Sequence, residues 1–252
     1  MNIIPVPVGT NIVWLIVMPG ARQCAIVDPT AGQPVLAVVR ERGLEPTDIL
    51  ITHHHADHVG GIAAIRRVYP IPVHGPANEA IPQRTHPVRE GDVVVLGRFA
   101  FQVLEIPGHT LDHVAYVSRG MLFAGDTLFG AGCGRVFEGT PGQLYDALRR
   151  LAALPPNTLL YCAHEYTQAN LRFAQTVEPD NVDIQQRLRH VEQLRGRDLP
   201  TLPSPLELEH RTNPFLRCRL QAVRAAAERF AGGSLRSPTD VFAVLRRWKD
   251  GF

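Results

Sequence analysis

The chain has 252 residues, of which 45% are hydrophobic and 20% charged, and its formal net charge is +2. That balance suits a globular protein with a sizeable core. Basic residues form no long run, which removes the electrostatic stripe of a nucleic-acid binder.

In chain order, residues 12–18 and 24–28 read as strands joined at Pro19-Gly20. The first of these is far short of the roughly 20 residues a bilayer span needs. No basic region precedes an apolar one at the N-terminus, so a signal peptide is not expected. Residues 34–42 read as an amphipathic helix, 48–52 as a buried strand and 60–69 as a helix. Two hairpins are expected, 93–96 with 99–106 across Gly97-Arg98, and 114–118 with 121–124 across Arg119-Gly120. Residues 143–154 place Leu144, Ala147, Leu148 and Leu151 at helical spacing, and 158–162 is a further strand. Beyond His164 four helices are expected, at 166–177, 183–195, 220–230 and 238–248, with an irregular proline-rich stretch at 199–205 and no returning strand. The reading is an α+β protein with a layered part over 1–165 and a small all-helical part over 166–252. Cys24, Cys133, Cys162 and Cys218 form no C-x-x-C pair. They read as small buried hydrophobes in a reducing compartment, the cytoplasm.

Histidines concentrate in Thr52-His53-His54-His55-Ala56-Asp57-His58, directly after the buried strand 48–52. Imidazole and carboxylate are the usual ligands of zinc and similar divalent ions. Positions two apart on extended chain share a face, so His53 and His55 are expected together and His54 elsewhere. Asp57 and His58, at the start of the next helix, are placed for a second ion. Gly108-His109-Thr110, Gly125-Asp126-Thr127 and Ala163-His164-Glu165 each follow a predicted strand and can converge on one sheet rim. Asp28 is a candidate partner for a ligand's second ring nitrogen.

This set resembles the metallo-β-lactamase superfamily, which implies an αββα sandwich with metals at one edge. The resemblance implies that His53, His55 and His109 hold one ion, that Asp57, His58 and His164 hold a second, and that Asp126 bridges them. The commonest zinc β-lactamases carry cysteine where Asp126 stands. Two metals about 3.5–4 Å apart can share a hydroxide that attacks a carbonyl. Asp126 keeps that spacing, and Asp57 is placed to orient the hydroxide. Seven ligands for two ions leave positions open, unlike a closed structural site.

Three further segments resemble the glyoxalase II, or hydroxyacylglutathione hydrolase, family: 132–140 around Arg135 and Phe137, 162–167 around His164 and Tyr166, and 245–252. Asn213-Pro214-Phe215-Leu216-Arg217 resembles its helical domain. The resemblance implies hydrolysis of S-D-lactoylglutathione to glutathione and D-lactate in methylglyoxal detoxification, by a monomer with two divalent ions, zinc first and iron or manganese next. It implies glutathione contacts from Arg135, Phe137, Tyr166, Arg246 and Lys249. Arg246 and Lys249 lie three apart on a predicted helix, able to face one anion. Phe137 stands where tyrosine is common, Arg135 where some members have lysine, and Asp112 where glycine is usual. The runner-up is a persulfide dioxygenase-like member with one iron.

Overall fold

A computed structural model describes residues 1–252, which form two compact units. One comprises Met1–Glu105 with Asp112–Gly125, the other Ile106–Leu111 with Asp126–Phe252.

The first unit runs β1 (Asn2–Val8), β2 (Asn11–Val17), β3 (Gln23–Val27), α1 (Gly32–Glu41), β4 (Glu45–Leu50), α2 (Ala56–Val59), α3 (Ile62–Val68), β5 (Val73–Pro76), β6 (His86–Val88), β7 (Val93–Leu96), β8 (Phe99–Glu105), β9 (Val114–Ser118) and β10 (Met121–Gly125). Strands β1 to β6 lie in that order in one sheet. It is antiparallel through β3 and parallel from β3 onwards. Pro5 and Pro7 are tolerated because β1 is an edge strand. Strands β7 to β10 form an antiparallel meander. Val35, Leu36 and Val39 of α1 and Ile62 and Ile65 of α3 pack with Val13, Leu15, Ile26 and Ile49 of the first sheet. Tyr116 Oη donates to Ile51 O at 2.9 Å, and Val114 N donates to Thr52 O at 2.9 Å, so β9 abuts the chain leaving β4.

The helix expected over 60–69 is α3, and the separate short helix α2 precedes it, the two being parted at Gly60-Gly61. The segment before α1 crosses here. A Cβ on Gly61 would sit 2.6 Å from Pro29 O, and one on Gly60 2.7 Å from Thr30 O. Strands β1, β5 and β6 were not expected, because they are short or carry proline and histidine in place of an apolar alternation.

The second unit runs β11 (Leu128–Phe129), β12 (Gly132–Cys133), α4 (Pro141–Ala152), β13 (Leu159–Cys162), α5 (Thr167–Val177), α6 (Val182–Arg195), β14 (Ser204–Pro205), α7 (Leu206–Thr212), α8 (Gln221–Ala231) and α9 (Pro238–Asp250). Capping boxes start α4 at Thr140/Gln143 and α9 at Ser237/Asp240. Phe173, Phe215 and Phe242 form its aromatic core, and Tyr145 of α4 packs on Phe242 of α9 at 5.5 Å. That contact draws α4 in with the later helices, so the unit begins well before residue 165. One strand does return after His164: β14 pairs antiparallel with β13. Two residues carry no periodicity to announce it. Arg187 and Glu209 form a buried ion pair at 2.5 Å, and Glu209 Oε2 accepts Ala131 N–H at 2.7 Å, fastening the β11–β12 hairpin to α7. No helix is long and apolar enough to cross a membrane.

Candidate metal centre

In the first unit β4 ends at Leu50 and the chain continues buried through Ile51, Thr52 and His53. His53 Nε2 and His55 Nδ1 face each other at 3.0 Å, the arrangement expected of two extended residues on one side. His54 turns away, with Nδ1 3.2 Å from Glu79 Oε2. The short helix α2 then presents Asp57 and His58, His58 Nε2 lying 3.7 Å from Asp57 Oδ2.

Behind these donors lies a polar relay. Asp28 Oδ1 accepts Thr52 N–H at 2.8 Å, and Oδ2 accepts Thr52 Oγ1–H at 2.7 Å. The hydroxyl thereby offers its lone pairs to His53 Nδ1 at 3.1 Å. Asp28 Oδ2 also lies 3.2 Å from His58 Nδ1. Both imidazoles are thus held with Nδ1 protonated and Nε2 presented as a ligand. Asn11 Nδ2 donates to Asp57 Oδ2 at 3.0 Å. Asp28 thus partners a histidine as its place at a strand end suggests, whereas no local motif announces Asn11 or His113. His113 is fully buried and stacks on His53 at 4.6 Å. The unusual Asp112 accepts from Asn78 Nδ2 at 3.0 Å.

In the second unit Asp126 follows β10, and His164 follows β13. The two carboxylate oxygens divide: Oδ2 is 3.5 Å from His109 Nε2 and Oδ1 is 3.3 Å from His164 Nε2. His109 Nδ1 donates to Arg135 O at 2.8 Å, which turns its Nε2 toward Asp126. Tyr166 stacks on His164 with centroids 4.7 Å apart and planes within 3°, and Phe129 meets both edge-on. Phe137 is 61% exposed and meets His109 at 5.2 Å.

Arg135, Arg246 and Lys249 gather around Asp250. Arg135 Nε is 3.5 Å, and Arg246 Nη2 2.9 Å, from Asp250 Oδ1. Arg246 and Lys249 do not present parallel cations as helix spacing suggested. Arg246 is buried and turned inward. Lys249, the chain's single lysine, lies over Phe173 and Phe252. Burial lowers its pKa, and the charges of Arg246 and Arg135 lower it further.

The donor set fits divalent ions in kind. Each unit contributes imidazole nitrogens whose far sides are anchored, with carboxylate oxygens facing the free sides.

Comparison with known proteins agrees with this chemistry. The model of the metallo-beta-lactamase superfamily matches residues 6–164, and that of the hydroxyacylglutathione hydrolase C-terminus matches residues 165–252. The hydroxyacylglutathione hydrolase of Alkalilimnicola ehrlichii is 53% identical over 99% of this chain and 98% of its own. Among solved structures, ETHE1 from Myxococcus xanthus is 31% identical, with a TM-score of 0.62 over 86% of this chain and 99% of its own. TTHA1623 in a di-iron-bound form is 27% identical, with a TM-score of 0.61 over 86% of this chain and 100% of its own. The chain therefore belongs to the metallo-β-lactamase superfamily and, within it, to the hydroxyacylglutathione hydrolase family.

Proposed function

We infer that this protein is a dinuclear thioester hydrolase that converts S-D-lactoylglutathione and related S-2-hydroxyacylglutathiones to glutathione and the free hydroxy acid, in methylglyoxal detoxification. The observation that carries it is Asp126, whose carboxylate oxygens divide between His109 and His164 as a bridging ligand's would. On this reading His53, His55 and His109 hold one ion, and Asp57, His58 and His164 the other. The ions are zinc, with iron or manganese accepted by the same donors. Bound there, two such ions supply a nucleophilic water at neutral pH and polarise the thioester carbonyl.

The chain's own residues hold this arrangement. Asp28 and Thr52 fix His53 and His58, the Arg135 carbonyl fixes His109, and Asn11 orients Asp57. Water adds to the acyl carbon, the C–S bond breaks, and the thiol leaves with a proton. Arg135 and Lys249 take the carboxylates of glutathione, with Tyr166 and Phe137 along its length and Arg246 behind them. Residues 1–165 thus form the catalytic part and 166–252 the substrate-binding part, a division supported by the meeting of the two family models at 164/165. One chain carries every ligand position, so a monomer suffices. Four free buried cysteines suit the cytoplasm.

The test is thiol release from S-D-lactoylglutathione with metal content measured on the same sample. Release with two ions per chain, both lost in Asp126→Ala, is expected. One iron per chain with oxygen uptake would overturn the hydrolase reading in favour of a persulfide dioxygenase-like reaction.

A further inference from the structure

Arg246 is 7% exposed, and its donors are committed within the protein. Nη1 donates to Cys133 O at 2.8 Å and lies 3.5 Å from Gly134 O. Nε and Nη2 reach Asp250 Oδ1 at 3.1 and 2.9 Å, and the ring of Phe215 packs against the guanidinium at 5.1 Å. A guanidinium presents its N–H groups in a rigid plane. Here that plane fastens α9 to two consecutive carbonyls at and just after β12.

That backbone lies against the ligands. The carbonyl of the next residue, Arg135, accepts His109 Nδ1–H. Gly134 passes so close that a Cβ there would sit 1.9 Å from Asp126 O and 3.1 Å from His109 Nδ1. Gly134 N donates to Thr127 O at 3.2 Å, holding the loop beside the carboxylate. Displacing the 133–135 backbone therefore moves the group that sets the tautomer and tilt of His109.

We propose that Arg246 is a positioning residue for the metal centre, fixing through the Cys133 and Gly134 carbonyls the backbone that orients His109 and seats Asp126. The inference rests on the ligand roles proposed above for His109 and Asp126. Removing Arg246 frees the loop and leaves the Cys133 carbonyl without its charged donor. Groups that orient a metal ligand typically matter by about 10–100-fold in metal affinity or activity.

The experiment compares the full-length parent with Arg246→Met, Arg246→Lys and Asp250→Asn. Zinc retention is titrated against a competing chelator. Long-range proton–nitrogen spectra of the metal-free proteins report the His109 tautomer. KM and kcat are measured on S-D-lactoylglutathione. Arg246→Met is expected to lose zinc at about 10–100-fold lower chelator. Its His109 should show mixed tautomers, and kcat should fall more than KM rises. Arg246→Lys, reaching one carbonyl without the fork, should recover part of the loss. Asp250→Asn, which loosens the guanidinium, should show the same changes in smaller degree.

A folded Arg246→Met with the parent's zinc retention and His109 spectrum overturns the proposal, whatever happens to KM. If that variant does not fold, parent-like zinc retention and spectrum in Asp250→Asn overturn it. If the parent fails to hydrolyse the glutathione thioester, the functional reading falls, while zinc retention and the His109 spectrum still decide the role of Arg246.

Discussion

Asp28 holds the first half of the centre through one carboxylate, and Asp28→Asn isolates what its charge does. Its φ of +48° lies in the left-handed region, which asparagine tolerates and alanine does not. In the variant the amide oxygen can still accept Thr52 N–H, now at 2.8 Å. The amide nitrogen replaces Oδ2, and it cannot accept from Thr52 Oγ1 or from His58 Nδ1, which lie 2.7 and 3.2 Å from Oδ2. Groups that orient a metal-binding histidine typically matter by about 10–100-fold in metal affinity or activity. Losing the carboxylate contact to His58 should weaken retention of an ion at that histidine by about that much. The assay is zinc content against graded chelator, with turnover measured at saturating zinc. One ion should leave well before the other, and turnover should recover in part as zinc is added back. Loss of both ions at the parent's chelator concentration, with unchanged turnover, would refute Asp28 as the residue that orients His58.

Three further outcomes are expected. His54→Ala should keep two ions per chain and His55→Ala should not, because His54 is turned to Glu79 while His55 faces His53; equal loss in both would disprove the strand-end geometry. The lowered pKa of Lys249 means that the unfolded chain binds more protons over the interval between the folded value and the ordinary lysine value, so this group makes stability rise with pH there. Binding runs the other way: a carboxylate needs the protonated amine, so KM for the glutathione thioester should climb at lower pH than an ordinary lysine would give. Lys249→Arg should flatten that climb, and an unchanged profile would remove Lys249 from the binding site. Burial pushes the Cys133 thiol up to about 11, against the charge of Arg246, and Cys24 up to about 12. Burial raises Cys162 and Cys218 as well. Native protein should therefore leave a disulfide reagent unreacted at neutral pH and titrate all four thiols only in denaturant; prompt native reaction would contradict the burial.

Local periodicity made much of this molecule legible. The hairpin of β7 and β8 and that of β9 and β10 appear where alternation and glycine turns placed them, and α4 follows its i, i+3, i+4 spacing. The same period of two set His53 beside His55 and turned His54 away, because side-chain direction on extended chain depends only on position. Other features depend on where the chain returns. The break between α2 and α3 comes from the passage of Pro29 and Thr30 over Gly60 and Gly61, and β14 exists because β13 offers it an edge. Asp28 reaches Thr52 and His58 through the parallel pairing of β3 with β4, and His113 reaches His53 where β9 abuts the chain leaving β4. Residue types and their spacing thus marked out the candidate donors and the kind of ion they suit. Only the tertiary structure decided the tautomers and the direction of Arg246, whose carbonyl partner lies 113 residues away. Hydrogen bonding is directional and short-ranged, so a donor's partner is chosen by the path of the backbone, which no local pattern of residues encodes.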